Sequence, residues 1–132
     1  MASFSEAELG YLLGERRLGR LATADASGLP HVVPVGWRYD PELGTIDITG
    51  HNLTATKKFR NLRENPKAAF VVDDLVSTAS WWPRSVMVQG HAQAVEGLPT
   101  IGAGGGGAMI RIVPDNIVSW GLESSAGRAS RS

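Results

Sequence analysis

Hydrophobic and polar positions alternate along most of this chain, and the alternation predicts strands. From Pro30 to Tyr39, His31, Val33, Val35, Trp37 and Tyr39 share one face, as a side-chain period of two requires. Pro30 and Pro34 carry no amide donor, so this strand is expected at an edge or a bulge. Arg20 to Ala24 reads as a strand entering the turn Asp25-Ala-Ser-Gly28. After a second turn at Asp40 to Gly44, Thr45 to Thr49 places Ile46 and Ile48 on one side, and Gly50 closes it. Ala68 to Val72 is apolar on both faces, the pattern of a central strand. Ser85 to Val95 puts Val86, Val88, Gly90, Ala92 and Ala94 on one side, and the small ones allow a close approach of backbone or a flat ring. Met109 to Val113 is a further strand, Pro114 to Asn116 a turn, and Ile117 to Trp120 its resumption.

Two stretches break the period of two. Ser5-Glu6-Ala7-Glu8 is a capping box, followed by Leu9, Leu12 and Leu13 at helical spacing and a stop at Gly14. From Thr54 to Lys67, helical spacing places Thr54, Lys57, Lys58 and Asn61 on one face. Ala55, Phe59 and Leu62 form a neighbouring stripe that can dock on a core. Pro66 ends this helix by forcing Asn65 out of the α region. Asp73 to Arg84 is expected as a loop whose adjacent Trp81 and Trp82 cannot both enter one small core, so one meets a partner chain or a ligand. Gly102 to Gly107 is expected as a flexible surface connection. About six strands with two helices predict a mainly β fold, a small closed antiparallel barrel. It forms a single domain over residues 1–123, with a disordered Ser, Ala, Gly and Arg tail over 124–132.

Charge changes the picture only at the second helix. Lys57, Lys58, Arg60, Arg63 and Lys67 stand there against the single acid Glu64. Hydroxyls, two lysines and an amide on one side suit a phosphate, although a solvated basic face accounts for the charge equally well. Over the whole chain thirteen basic residues balance thirteen acidic ones, which excludes a global field for nucleic acid or an anionic membrane. No apolar run is long enough to span a bilayer and no leader opens the chain, so a soluble cytoplasmic protein is expected. Without cysteine there are no disulfides, thiolate nucleophiles or zinc–thiolate sites.

Nothing in the sequence forms a nucleophile, base and acid set. His31, His51 and His91 are scattered without metal spacing, and no G-x-S-x-G occurs. His51, just ahead of the basic helix, is a candidate ligand contact or proton donor, and Tyr39 is a weaker one. Asp73 and Asp74 are adjacent on a strand and so point to opposite faces, as a solvated, strand-ending pair. Gly102 to Gly107 fits G-x-G-x-x-G, but a Leu-Pro-Thr loop precedes it and a strand follows, so no βαβ unit surrounds it.

Taken in order, these elements resemble the pyridoxamine-5'-phosphate-oxidase-like split-barrel flavoproteins. The resemblance rests on the Asp25-Ala-Ser-Gly28 turn, a strand with Val32-Val-Pro-Val35, a third strand, then Thr56-x-Lys58-x-x-Asn61-Leu62 and Asn65-Pro66. Ile110-Arg-Ile-Val-Pro114 through Ile117-Val-Ser-Trp-Gly121 looks like the branch that uses the deazaflavin coenzyme F-420 in place of FMN. The resemblance implies a split antiparallel β-barrel and a homodimer with cofactor sites at the interface. It also implies an oxidoreductase passing a hydride between reduced F-420 and an electron-poor small organic substrate. By position, Lys58 matches the family's phosphate-binding lysine, Thr56 and Asn61 adjoin it, and Thr54 and Lys57 extend the same clamp. Val35 and Trp37, with Thr49 and Gly50, match segments that line the ring, and Gln89 approaches from across the barrel.

Two departures accompany the match. The chain lacks a C-terminal dimerisation segment with substrate-phosphate arginines, so vitamin B6 oxidation is not expected. Many relatives also carry a helix where this chain has Gly97 to Gly107. Two other readings keep the fold: FMN in place of F-420, or a carrier of a flavin-like or haem-like ligand without turnover. In the catalytic readings the cofactor brings the hydride, and the protein supplies position and shielding.

Overall fold

The computed structural model describes residues 1–98 and 107–122. Ser5 opens the first helix, α1 (Glu6–Gly14), through the expected reciprocal cap. Its hydroxyl accepts from the Glu8 amide at 3.2 Å, and the Glu8 carboxylate accepts from the Ser5 amide at 2.8 Å. The buried face is Glu8, Tyr11 and Leu12, while Leu13 stands 62% exposed, so the expected leucine face is rotated.

Seven strands follow: β1 (Gly19–Ala24), β2 (Pro30–Val35), β3 (Arg38–Asp40), β4 (Thr45–Ile48), β5 (Lys67–Ser77), β6 (Trp82–Val95) and β7 (Met109–Trp120). They form one antiparallel sheet in the order β2-β1-β5-β6-β7-β4-β3. The stretch expected as one strand over Pro30 to Tyr39 is divided at Gly36 and Trp37. Its first piece pairs with β1 and its second with β4, so neighbouring pieces of chain hold the two ends of the sheet. That continuity curls the sheet into a split barrel. Pro30 and Pro34 do lie on an edge strand, as their missing donors require.

The expected loop over Asp73 to Arg84 is instead the far end of a long hairpin, because cross-strand ion pairs extend the ladder. Asp74 pairs with Arg84 in register and accepts from its guanidinium at 3.0 and 2.6 Å. Tyr11 and Arg17 also donate to Asp74, at 3.0 and 3.2 Å, which ties the first helix to the hairpin. Asp73 points the other way, to Arg20. The two carboxylates therefore take opposite faces, but neither ends a strand, and Asp74 is a half-buried hub.

Nor does β7 turn at Pro114 to Asn116. Asp115 is the extra residue of a bulge opposite Gln89 and Gly90, and the strand continues through it. A Cβ on Gly90 would lie 2.0 Å from the Val113 carbonyl oxygen, so the backbone approach at this bulge admits glycine alone. The core fills the barrel from alternate residues, among them Leu21, Ile46, Phe70, Val88 and Ile112. Of the glycine run Gly102 to Gly107 only Gly107 is described, and the tail 124–132 lies outside the described residues, as does Glu123. Among the described residues no helix is long and apolar enough to cross a membrane.

Candidate functional site

The segment leaving β4 builds the most distinctive feature of the surface. Thr49 and His51 are exposed, Asn52 adopts a left-handed conformation at φ 52°, and Leu53 drops into the core. A 3-10 turn over Leu53–Ala55 comes next, and Thr56 then caps the second helix, α2 (Lys57–Glu64). The Thr56 hydroxyl donates to the Leu53 carbonyl at 2.6 Å and accepts from the Phe59 amide at 3.4 Å. Thr54 therefore sits in the preceding turn and does not share a face with Lys57, Lys58 and Asn61. The cap at Thr56 restarts the chain direction, which side-chain spacing alone does not reveal. Ala55 is likewise exposed in that turn, whereas Phe59 and Leu62 dock as expected.

The helix is fastened from beneath. Asn61 is buried and donates its amide to the Thr23 hydroxyl on β1 at 3.1 Å. Asn65, held extended at φ −139° ahead of Pro66, donates to the Asp25 carbonyl at 3.4 Å. The Ser27 hydroxyl above all, then the Leu29 amide, hold the Asp25 carboxyl below the usual carboxylate range, and the Lys57 charge adds to this. The charge of Lys57 thus acts on the β1–β2 turn. Lys58 is half-buried and makes no ion pair among the described residues. No acid occurs between Asp47 and Glu64, so nothing on this segment neutralises either lysine. Arg63 turns away, pairing with Glu96 and covering the Phe59 ring at 4.9 Å.

The remaining candidates lie elsewhere on the chain. Val35 points into the core. Trp37 is half-buried; its indole donates to the Arg17 carbonyl at 2.8 Å and its ring meets Phe70 edge-on at 5.6 Å. Tyr39 packs edge-on against Phe4, also at 5.6 Å. Gln89 faces outward on β6 and accepts from the Asn116 amide at 3.0 Å. It borders a groove of about 490 Å³ with Ala22, Ala24, Ala69 and Asn116.

The cross-strand register explains that groove. Val32, Ala22, Ala69, Gln89 and Asn116 form one outward row across five strands. The next row is Pro34, Arg20, Val71, Met87 and Val118. Both rows are mainly apolar, yet Val32 is 65% exposed. Asn116 and the alanine platform escaped the sequence reading; the signal for them was a β5 segment apolar on both faces. Trp81 is also exposed, at φ 49°, while Trp82 donates to the Gly121 carbonyl at 3.1 Å. No group of metal-binding side chains occurs among the described residues.

The sequence matches a family model described as pyridoxamine 5'-phosphate oxidase over residues 5–100. A 5a,11a-dehydrotetracycline/5a,11a-dehydrooxytetracycline reductase of Streptomyces rimosus is 44% identical over 124 residues, which cover 91% of this chain and 84% of that relative. A conserved hypothetical protein from Mycobacterium tuberculosis superposes with a TM-score of 0.68 at 22% identity, covering 94% of this chain and 95% of the other. A structure described as an F-420 reductase superposes with a TM-score of 0.61 at 21% identity, over 82% and 94% of the two chains. At these identities the two structures show a shared fold.

Proposed function

The chain belongs to the pyridoxamine 5'-phosphate oxidase family, and on that footing we propose that it is a homodimeric, F-420-dependent reductase. Its substrate is a small organic molecule with a carbon–carbon double bond conjugated to a carbonyl. The 44% identity to a 5a,11a-dehydrotetracycline/5a,11a-dehydrooxytetracycline reductase, over most of both chains, carries this reading. The coenzyme, when bound, supplies the hydride.

The chain's own residues fit such a group. Lys57 and Lys58 stand at the N-terminal end of a helix, where the backbone dipole also favours an anion. Lys58 is free to take a phosphate, and Lys57 adds a second positive charge beside it, while Thr54 lies in the preceding turn. Thr56 and Asn61 act from beneath: the first shapes the helix start, the second fixes the helix on the barrel. A Cβ on Gly50 would meet open space, which leaves room beside Thr49 for a flat ring. The apolar outward rows call for a cover, and a second copy of the chain supplies it. In that assembly Gln89 and Trp37, with the backbone at Val35, line a site that one protomer leaves open.

Separate titrations with F-420 and FMN, followed by tryptophan fluorescence, test the cofactor. Mixing the reduced complex with a dehydrotetracycline or a simple enone then tests turnover. F-420 is expected to bind more tightly and to be reoxidised by the substrate. Lys58→Ala should lose about 1.5–3 kcal/mol of binding, or ten- to a hundredfold in affinity. Binding of neither cofactor, or tight binding without reoxidation, overturns the proposal.

A further inference from the structure

The hairpin of β5 and β6 outruns the sheet that carries it. β5 pairs with β1 only as far as Val72, and β6 pairs with β7 only from Ser85 onward. Leu75 to Trp82 therefore project as a two-stranded ribbon with no third strand on either edge. The stretch reads Leu-Val-Ser-Thr-Ala-Ser-Trp-Trp-Pro over residues 75–83, without one ionisable side chain. At its foot the charges close on one another. Asp73 pairs with Arg20, Asp74 with Arg84 and Arg17, and Arg17 with Glu15, so three guanidinium groups meet three carboxylates.

The large apolar residues of the ribbon are turned outward. Val76 is the extra residue of a bulge between the Leu75–Pro83 and Ser77–Trp82 pairs, and Leu75 and Val76 are 41% and 43% exposed. Trp81 is 68% exposed, and its side chain makes no hydrogen bond or ring contact among the described residues. Both of its flanks are fixed. The Trp82 indole is held on the Gly121 carbonyl, and the Ser77 hydroxyl accepts from the Ser80 amide at 3.1 Å. Trp81 between them is kept in the left-handed region, which bulky residues seldom adopt.

Shape and charge select what covers such a tip. A convex projection offers no pocket to a small molecule, and its exposed tryptophan, leucine and valine call for a cover. It has no ionised group to strip of water on entering an apolar medium. An indole joins an apolar ring to a free N–H donor, a pairing that favours the boundary between water and hydrocarbon. We propose that the β5–β6 tip docks the protein on a neutral phospholipid surface, with Trp81, Leu75 and Val76 entering the interfacial layer. No residue of α2 lies on the ribbon, so the inference stands apart from the cofactor reading.

Co-sedimentation of the full chain with vesicles of dioleoylphosphatidylcholine tests the surface. The chain should bind, and added salt should leave the binding unchanged, because no charge pair carries it. Leu75→Ser/Trp81→Ser, with the circular dichroism of the parent, should lose at least tenfold in partitioning. Vesicles brominated along the acyl chains should quench the tryptophan fluorescence of the parent, and Trp81→Phe should be quenched less. Absence of vesicle binding overturns the proposal, as does binding that salt abolishes, equal partitioning in the double variant or undiminished quenching in Trp81→Phe. A changed oligomeric state in the double variant also overturns it, and assigns the tip to a second copy of the chain.

Discussion

Asn61 of α2 donates its side-chain amide to the hydroxyl of Thr23 on β1 across 3.1 Å, and both side chains are buried. This bond sets the height and rotation of the helix whose first turn carries Lys57 and Lys58. Truncating Asn61 leaves the Thr23 hydroxyl buried without that donor, at a cost of about 1–3 kcal/mol. Urea unfolding of Asn61→Ala should show that loss, and Asn61→Ala/Thr23→Ala should lose less than the two single variants summed. Strict additivity would mean that the bond contributes nothing. Lys58→Ala should unfold like the parent.

Asp74 draws Arg84, Arg17 and Tyr11 together, and the Arg84 hydrogen bonds above all hold its carboxyl below the usual range. A lowered native value means that the ionised carboxylate stabilises the fold. The contribution is complete above the ordinary carboxylate range, near pH 4, and is lost as the pH falls through the lowered native value. Asp74→Asn should therefore be less stable than the parent at neutral pH, by about 1–3 kcal/mol. The gap should narrow on acidification below about pH 4. Thermal melts of both proteins across that range provide the measurement, and a gap independent of pH would exclude the linkage.

Two glycines should respond in opposite directions. Gly90→Ala forces a Cβ against the Val113 backbone, and the bulge must shift, so a loss of about 1–3 kcal/mol is expected. Gly10 lies inside α1, where an added Cβ would meet nothing within 4 Å, and Gly10→Ala should gain about 0.5–1 kcal/mol. Melting temperatures of the pair decide whether local geometry, rather than glycine content, governs the response.

The outward rows make a prediction about assembly. Ala69→Glu places a charge in the middle of the apolar row between Ala22 and Gln89. Light scattering after size exclusion should show a dimer for the parent and a monomer for the variant, with the circular dichroism unchanged. Cofactor affinity should fall with the dimer. A variant that remains dimeric would place the interface elsewhere.

Local signals were legible where the physics is local. The Ser5–Glu8 cap, the docking of Phe59 and Leu62 and the end of α2 at Asn65 each follow from a few neighbouring residues. The bend at Gly36 and Trp37 was not legible, because Trp37 and Tyr39 continue the alternation of His31, Val33 and Val35 through it. What divides that strand is the choice of partner, β1 for one piece and β4 for the other, and partners are distant in sequence. Asp73 to Arg84 looked like a loop for the same reason. Its charges are satisfied by Arg17, Arg20 and one another. Spacing placed Asn61 beside Lys58 but could not say that its amide turns inward to Thr23.

The seam where the barrel is split has one more property. Asp25 donates its backbone amide to Leu29, so alternation along the hairpin turns the amides of positions 30, 32 and 34 away from β1, toward the unpaired side. Two of those three positions are Pro30 and Pro34, which leaves Val32 as the sole donor on that stretch of open edge. An incoming strand would find almost no ladder to extend. The barrel can stay open at its seam without recruiting other chains edge to edge.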